Sequence, residues 1–438
     1  MALWWRIFLG LAALASTFAA TSKKSTKYVY DGQPKLWALL VAGSKGYDNY
    51  RHQADICHAY HVLHNHGVPD ERIVVMMYDD IAHSRENPTP GVIINHPNGT
   101  DVYRGVPKDY TGDLVTPQNF LDILQGKKVK GGSGKVIASG PKDHVFLYFA
   151  DHGAPGLLAF PNGVLHAQPF MNVIKSLNKK TFAEMAIYIE ACESGSMFDG
   201  LLTAYVSVYA TTAANPYESS YACYWDKKKG AYLGDLYSVS WLEDSDKKDL
   251  QKETLLDQFN IVKKRTSASH VMQYGNLRIG NLSLSEFQGK KKTSPIVLPK
   301  APDDAVSSRD VPIAILRNKL ERASTPQEIK SLKDKLRRAL RHRLFLKNKV
   351  AEIASFVARG KSNDAEVVLT STRPFTKFYC YEKAVSHFNE RCFDISKNPY
   401  ALQHLRVLMN MCELSYNILD ITEAMDLLCT HPPLEGIV

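Results

Sequence analysis

Two apolar runs constrain the fold of this chain more than any other feature. Val145-Phe-Leu-Tyr-Phe-Ala150 leads straight into Asp151-His152-Gly153, and Met185-Ala-Ile-Tyr-Ile-Glu190 into Ala191-Cys192-Glu193-Ser194-Gly195. Short continuous runs rich in β-branched and aromatic residues read as central strands of a parallel sheet, buried on both faces. Open α/β sheets bind ligands beyond the carboxyl ends of their strands. The pattern therefore predicts an imidazole and a thiol at one rim of one sheet.

That pairing has a chemistry. A thiol attacks as its thiolate, and a neighbouring imidazole promotes this by taking the proton, holding the ion pair and later protonating the leaving amine. Gly153 allows close backbone approach, so its N–H and that of Cys192 are candidates for an oxyanion hole. A single Cys at a strand end is more often packing than catalysis. Two strands ending in complementary groups favour catalysis.

Around these runs, strand and helix patterns alternate. Strands are predicted at Leu36 to Ala42, Arg72 to Tyr78, His144 to Ala150, Met185 to Glu190 and Val206 to Ala210, and helices at Gln53 to Asn65, Pro117 to Leu124, Gln168 to Asn178 and Asp249 to Ser267. The fold class this implies is an α/β layer sandwich with a mainly parallel central sheet. Gly126 to Gly140 reads as a surface loop. From residue 289 to 312 the composition shifts to Lys, Pro, Ser and Asp, the mark of an exposed linker open to proteases. Helical periodicity fills 313–438, predicting an all-α segment after a sheet-bearing domain over 20–288.

Met1 to Ala19 has the basic, apolar and small-residue order of a secretory signal peptide. No other stretch is long and apolar enough to span a membrane, so no membrane span is expected. In that secreted context Cys380, Cys392, Cys412 and Cys429 read as a disulfide framework with three possible connectivities. Cys57 and Cys223 read as buried free thiols. The formal charge of +9 is uneven: Val311 to Val438 carries 20 Lys and Arg against 14 Asp and Glu, and Lys330 to Lys349 holds nine basic residues and one acid. This amphipathic basic helix fits a cover over an acidic surface better than a nucleic-acid site, and no nucleic acid is expected as a partner. Asn98 and Asn281 head glycosylation sequons. His58, His61, His64 and His66 lack metal-ligand spacing, so no metal and no cofactor are expected.

A carboxamide pocket needs a donor and an acceptor, and Arg51, His52, Glu190, Ser219, Ser220 and Asp235 offer both near the rim. Seven strings, in order, carry a resemblance: Leu39 to Ser44, Tyr50 to Asp55, Met76 to Asp80, Tyr148 to Gly153, Ile189 to Met197, Tyr209 to Pro216 and Glu218 to Cys223. Together they resemble the legumain family of asparaginyl endopeptidases. The resemblance implies a caspase-like sandwich, a Cys192–His152 thioester mechanism with Asn49 supporting His152, and an S1 pocket of Arg51, His52, Glu190, Ser220 and Asp235. It also implies pairing of Cys380 with Cys412 and Cys392 with Cys429. Peptides with Asn at P1 are the implied substrates, with Asp accepted in acid. The chain's own C-terminal prodomain and cystatin-type inhibitors are the implied regulators, and the secretory or endolysosomal pathway the implied location. Within and just after the linker, Asp303, Asp304, Asp310 and Asn318 are candidates for self-cleavage.

Other readings fit less well. A transamidase subunit of the same layout would carry a membrane anchor, and an Asp-specific caspase would lack the signal and the Cys-rich tail. A dead binding protein would have lost Cys192 or His152. Transpeptidation through the same thioester stays open as a second activity.

Overall fold

The computed structural model describes residues 33–294, 300–359 and 362–438. The expected signal segment, Met1 to Ala19, lies outside them. Strands follow in chain order as β1 (Leu36–Ala42), β2 (Ile73–Met76), β3 (His144–Ala150), β4 (Gly153–Ala154), β5 (Leu157–Phe160), β6 (Gly163–His166), β7 (Glu184–Glu190), β8 (Val208–Thr212), β9 (Tyr221–Asp226), β10 (Ala231–Asp235), β11 (Met272–Gly275) and β12 (Val306–Ser307). The helices are α1 (Tyr50–Asn65), α2 (Pro117–Leu124), α3 (Ala167–Leu177), α4 (Leu236–Lys247), α5 (Leu255–Arg265), α6 (Ser285–Gln288), α7 (Val311–Arg322), α8 (Pro326–Val357), α9 (Ser362–Thr370), α10 (Phe378–Arg391), α11 (Leu405–Glu413) and α12 (Ile418–Leu428).

The central sheet has the order β11-β8-β7-β3-β1-β2, parallel except for β11. Side chains alternate between its faces. Leu40, Val75, Phe146 and Tyr188 pack with α1 and α4 residues on one side; Leu39, Val74, Leu147 and Ile187 pack with Phe120 of α2 and Phe170 of α3 on the other. Both faces being apolar, both must be covered, which gives a three-layer sandwich with a mainly parallel central sheet. Two small antiparallel sheets, β4-β5-β6 and β10-β9-β12, stand apart from it.

Several boundaries moved for local reasons. Helix α1 starts at Tyr50 rather than Gln53 and buries polar Arg51, His52, Gln53 and Asp55, which disguises its amphipathic period. Helix α4 was invisible for the same reason, burying Ser238, Ser240, Glu243, Asp244 and Ser245. The helix predicted from Asp249 starts at Leu255, after a reciprocal cap between Thr254 and Asp257. Strand β2 starts one residue later than predicted because Asp70–Arg72 forms a 3-10 turn, and it ends at Met76 rather than Tyr78.

Helices α8 to α12 pack around Leu346, Ile353, Tyr381, Phe388, Leu408 and Met425, and the same core takes in Ala154 and Leu157 from β4 and β5. Cys380 is bonded to Cys412 and Cys392 to Cys429. Cys57, Cys192 and Cys223 are free and buried.

Two expectations need correction. The stretch 289–312 is not simply exposed: Val306–Ser307 pairs antiparallel with β9 and Ser308 is 1% exposed. The basic run of α8 does not lie against acids of the sheet region. Lys333, Lys335, Arg337, Arg338 and Arg341 face solvent; among the described residues the run's ion pairs are Arg337–Asp334, Arg343–Asp310 and Lys349–Glu352. Helix α8 packs through its apolar stripe, so most of its charges sit on the opposite face, with Arg343 the buried exception.

Candidate active site

Ala42, Ala150 and Glu190 stand in register at the ends of β1, β3 and β7. Two residues beyond each lie Ser44, His152 and Cys192, so polar groups from three distant segments share one rim because the strands end level. His152 Nε2 is 2.9 Å from Asn49 Oδ1, and Asn49 Nδ2 donates to Lys45 O at 2.9 Å. The second bond fixes the amide with Oδ1 as acceptor. His152 Nε2 is then the N–H, and Nδ1 is the lone-pair nitrogen of the neutral ring.

Cys192 is 1% exposed, and its Sγ accepts the Ser220 N–H at 3.4 Å. Ser219 Oγ and Ser220 Oγ lie 3.3 and 3.7 Å from the sulfur. Cys192, His152 and Gly153 line one cavity of about 520 Å³ with Ser308 and Arg309 of the linker and Tyr400 of the helical region. A Cβ on Gly153 would stand 2.4 Å from the Cys192 carbonyl oxygen. Glycine is required there because the two backbones touch.

The polar cluster nearby is almost wholly buried. Arg51 Nε donates to Asp235 Oδ1 at 2.8 Å, both fully buried. His52 lies 3.4 Å from Asp151 and 3.5 Å from Asp235, with Ser44 Oγ 2.6 Å from its Nδ1. Glu190 Oε2 accepts from Ser238 N at 3.0 Å and Ser238 Oγ at 2.9 Å. Asp55 accepts from Asn95 Nδ2 at 2.7 Å and Asp235 N at 3.2 Å.

Burial pushes the Asp55 and Glu190 carboxyls well above the usual range, and the neighbouring Asp235 charge adds to it. Burial does the same to Asp151 and, against the pull of Arg51, raises Asp235. Burial also drives His52 well down, with Arg51 adding to the shift. In this cluster Arg51 Nη2, Asp151 Oδ1, Glu190 Oε1 and Asp235 Oδ2 have no hydrogen-bond partner. A free donor on Arg51 and free carboxyl oxygens on Glu190 and Asp235 are what a primary carboxamide needs.

A second set of charges, which sequence reading missed, lies over the thiol. Glu193, in the left-handed region at φ 48 and 1% exposed, is paired with Arg309 of the linker and with Arg406 of α11 at 3.2 Å. Arg343 of α8 clasps the linker, donating to Arg309 O at 2.6 Å and Asp310 Oδ1 at 2.7 Å while its guanidinium lies over Tyr400. Burial lowers His152 to about 3, and the Arg51 and Arg309 charges contribute. With Arg309 in place, a His152 imidazolium is disfavoured. The only sequence signal for this clamp was Glu193 adjoining Cys192.

The remaining predicted positions are scattered. Asn98 and Asn281 are exposed. Asp303 is exposed and paired with Lys300, whereas Asp304 accepts from Tyr224 N and Trp225 N, Asp310 is held by Arg343, and Asn318 Nδ2 reaches Tyr232 OH. His58, His61, His64 and His66 each bond to protein groups. Among the described residues the single His-carboxylate group close enough for a metal is His52, Asp151 and His152.

The peptidase C13 family model matches residues 36–290, and the legumain prodomain model matches 334–429. The chain belongs to the peptidase C13 family. Among its relatives in this family, human (Homo sapiens) legumain is 51% identical over 404 residues, spanning 90% of this chain and 93% of that protein. Hemoglobinase of Schistosoma japonicum is 44% identical, spanning 90% and 92%. The vacuolar-processing enzyme delta-isozyme of Arabidopsis thaliana is 41% identical, spanning 90% of each. As a C13 peptidase with its prodomain in the same chain, the protein is an asparaginyl cysteine endopeptidase made as a zymogen, and its helical region is the intramolecular inhibitor.

Proposed function

We propose that Cys192 is the nucleophile, His152 the acid and base, and Asn49 the residue that holds His152 in its working tautomer. Cys192 Sγ attacks the main-chain carbonyl carbon of the Asn as His152 Nδ1 takes the thiol proton. The tetrahedral oxyanion is met by the N–H groups of Gly153 and Cys192. His152 returns the proton to the leaving amine, and water then opens the thioester.

The observation that carries this reading is the set of orphaned atoms on Arg51, Glu190 and Asp235. The S1 pocket takes the carboxamide with its oxygen on Arg51 and its amino group on Glu190 and Asp235, with His52, Ser219 and Ser220 completing the wall. An Asp side chain matches the same atoms only when protonated, near its reference pKa of about 3.9. The ratio of Asp to Asn cleavage therefore rises as pH falls.

Asp303, exposed and, unlike Asp310, not held by Arg343, is the proposed self-cleavage site, since a peptidase needs a chain it can straighten. The proposed domains are a signal peptide over 1–19, a peptidase over 20–288, an activation linker over 289–312 and a prodomain over 313–438. Cystatin-type inhibitors, aminolysis of the thioester, occupied glycans at Asn98 and Asn281, and an endolysosomal or secreted location complete the reading.

The test is Cys192→Ala and His152→Ala in acid-activated protein, assayed on an Asn reporter peptide. Each should lose about three to six powers of ten in turnover, because nucleophile and base act as a unit. Retained turnover in Cys192→Ala overturns the assignment.

A further inference from the structure

The linker lies in the cleft as a strand, and its register maps where a substrate runs. Val306 faces Ala222 and Ser307 faces Tyr221 in the antiparallel β12–β9 pair. Ser308 N continues it, donating to Ser220 O at 2.9 Å, and Ser308 Oγ is 3.1 Å from Ser220 Oγ. Ser220 is also the residue whose N–H reaches Cys192 Sγ. Asp235, the S1 carboxylate, pairs with Ala222 across β9 and β10. Ser308 therefore occupies the position next to the nucleophile, and the bond between residues 308 and 309 is the one presented to it. Serine lacks a carboxamide, so the S1 groups stay unfilled and the bond stays uncut.

Val306, two residues upstream, points to the same side of the strand as Ser308. It packs into a small apolar cluster with Ala222, Trp225, Tyr232, Val311 and Ile315, in which the Trp225 and Tyr232 rings lie 5.2 Å apart. Val311 and Ile315 belong to α7 and leave with the inhibitor. Ala222, Trp225 and Tyr232 are then an uncovered apolar seat on the free edge of β9, a place that main-chain pairing fills with an extended peptide.

We infer that this seat is a specificity subsite for an apolar side chain two residues before the cleaved Asn, with the substrate backbone taking the place of Val306 to Ser308. This rests on the S1 reading above and extends it from a single residue to a three-residue motif. Val or Ile at that position gains burial against Trp225 and Tyr232, whereas Asp or Lys must be desolvated beside rings that offer it no charge partner.

The test compares kcat/KM of the acid-activated full-length protein on reporter peptides X-Ala-Asn, with X as Val, Ile, Asp or Lys. Val and Ile should exceed Asp and Lys by about tenfold, the scale of a small apolar contact. Trp225→Ala should bring the ratio to within about twofold of unity, and Trp225→Phe should keep most of it. An unchanged thermal midpoint and retained cleavage of Ala-Ala-Asn separate loss of the seat from loss of the fold. The register is checked by Ser308→Asn, which should let the acidified chain cut itself between residues 308 and 309, seen by intact mass. No preference at X, a preference that survives Trp225→Ala, or no cut between residues 308 and 309 in the Ser308→Asn variant overturns the inference. Failure of every Asn peptide would instead strike the S1 reading.

Discussion

Two carboxyls deep in the sheet region and two imidazoles at its seam with the inhibitory helical region answer protons with opposite sign. In the sheet region burial raises the Glu243 carboxyl to about 7, against its bonds to Tyr224 and Arg265, and raises Glu253 to about 8, with Asp244 adding. At the seam and in the helical region burial lowers His166 to about 4, and lowers His404 to about 4 with help from the Arg309, Lys347 and Arg343 charges. His166 closes β6 and meets the Tyr381 ring of α10 edge-on, and its Nδ1 has no partner.

The raised carboxyls keep their protons when folded and lose them when unfolded. Their stabilisation is complete below about 4.5 and fades as pH rises through 7 and 8. The depressed imidazoles work the other way. They stabilise the covered state above about 6.5 and give that up as pH falls toward 4. Acid thus favours the fold at Glu243 and Glu253 while it weakens the cover at His166 and His404.

The sharpest way to break this contrast is at Glu193. Replacing both Arg309 and Arg406 with Ala leaves that carboxylate buried without a cation, which costs about 3–5 kcal/mol. The uncut double variant should hydrolyse an Asn reporter at pH 7 at least about tenfold faster than the native zymogen. A double variant still inert at pH 7 would remove Glu193 as the latch.

Reduction should separate the regions almost as strongly. Both disulfides lie in the helical region and span 32 and 37 residues. Each limits the unfolded chain by about 4 kcal/mol in the loop-entropy estimate. Under reductant, amide exchange should accelerate first in α8 to α12, with β1, β3 and β7 still protected. Equal loss of protection in both would mean that the two regions unfold as one.

A smaller effect follows from the titrations. Between pH 7 and 4.5 the native zymogen should show the sheet region's exchange protection rising as that of the seam falls. His166→Gln, which cannot take a proton there, should shift the onset of release to lower pH by a few tenths of a unit. An unchanged onset would exclude His166 from the switch. The smallest expected change is for Lys333→Glu with Lys335→Glu on the exposed face of α8, within about 0.5 kcal/mol in stability. A marked gain of activity at pH 7 from that pair would restore the basic face as part of the cover.

Much of the sheet region was legible because burial on both faces writes continuous apolar runs, and strand ends that align in space can be read as motif ends in sequence. That is why Cys192, His152 and Gly153 could be read as neighbours, and they line one cavity. Helix α4 and the start of α1 were hidden because they bury Ser, Asp, Arg and His, whose partners can be as distant as Asp235 is from Arg51, 184 residues along the chain. The clamp was hidden for a related reason: Arg309 and Arg406 look like any surface arginines until the fold brings Glu193 between them. The basic run of α8 misled, since charge density alone cannot tell which face of a helix is packed.

The most direct measurement is the peptidase activity of the full-length chain, confirmed uncut by intact mass, on an Asn reporter at pH 7 and at pH 4. Latency held by Arg309, Arg406 and Arg343 gives no turnover at pH 7 and turnover that emerges at pH 4. Full activity of the uncut chain at pH 7 would contradict it.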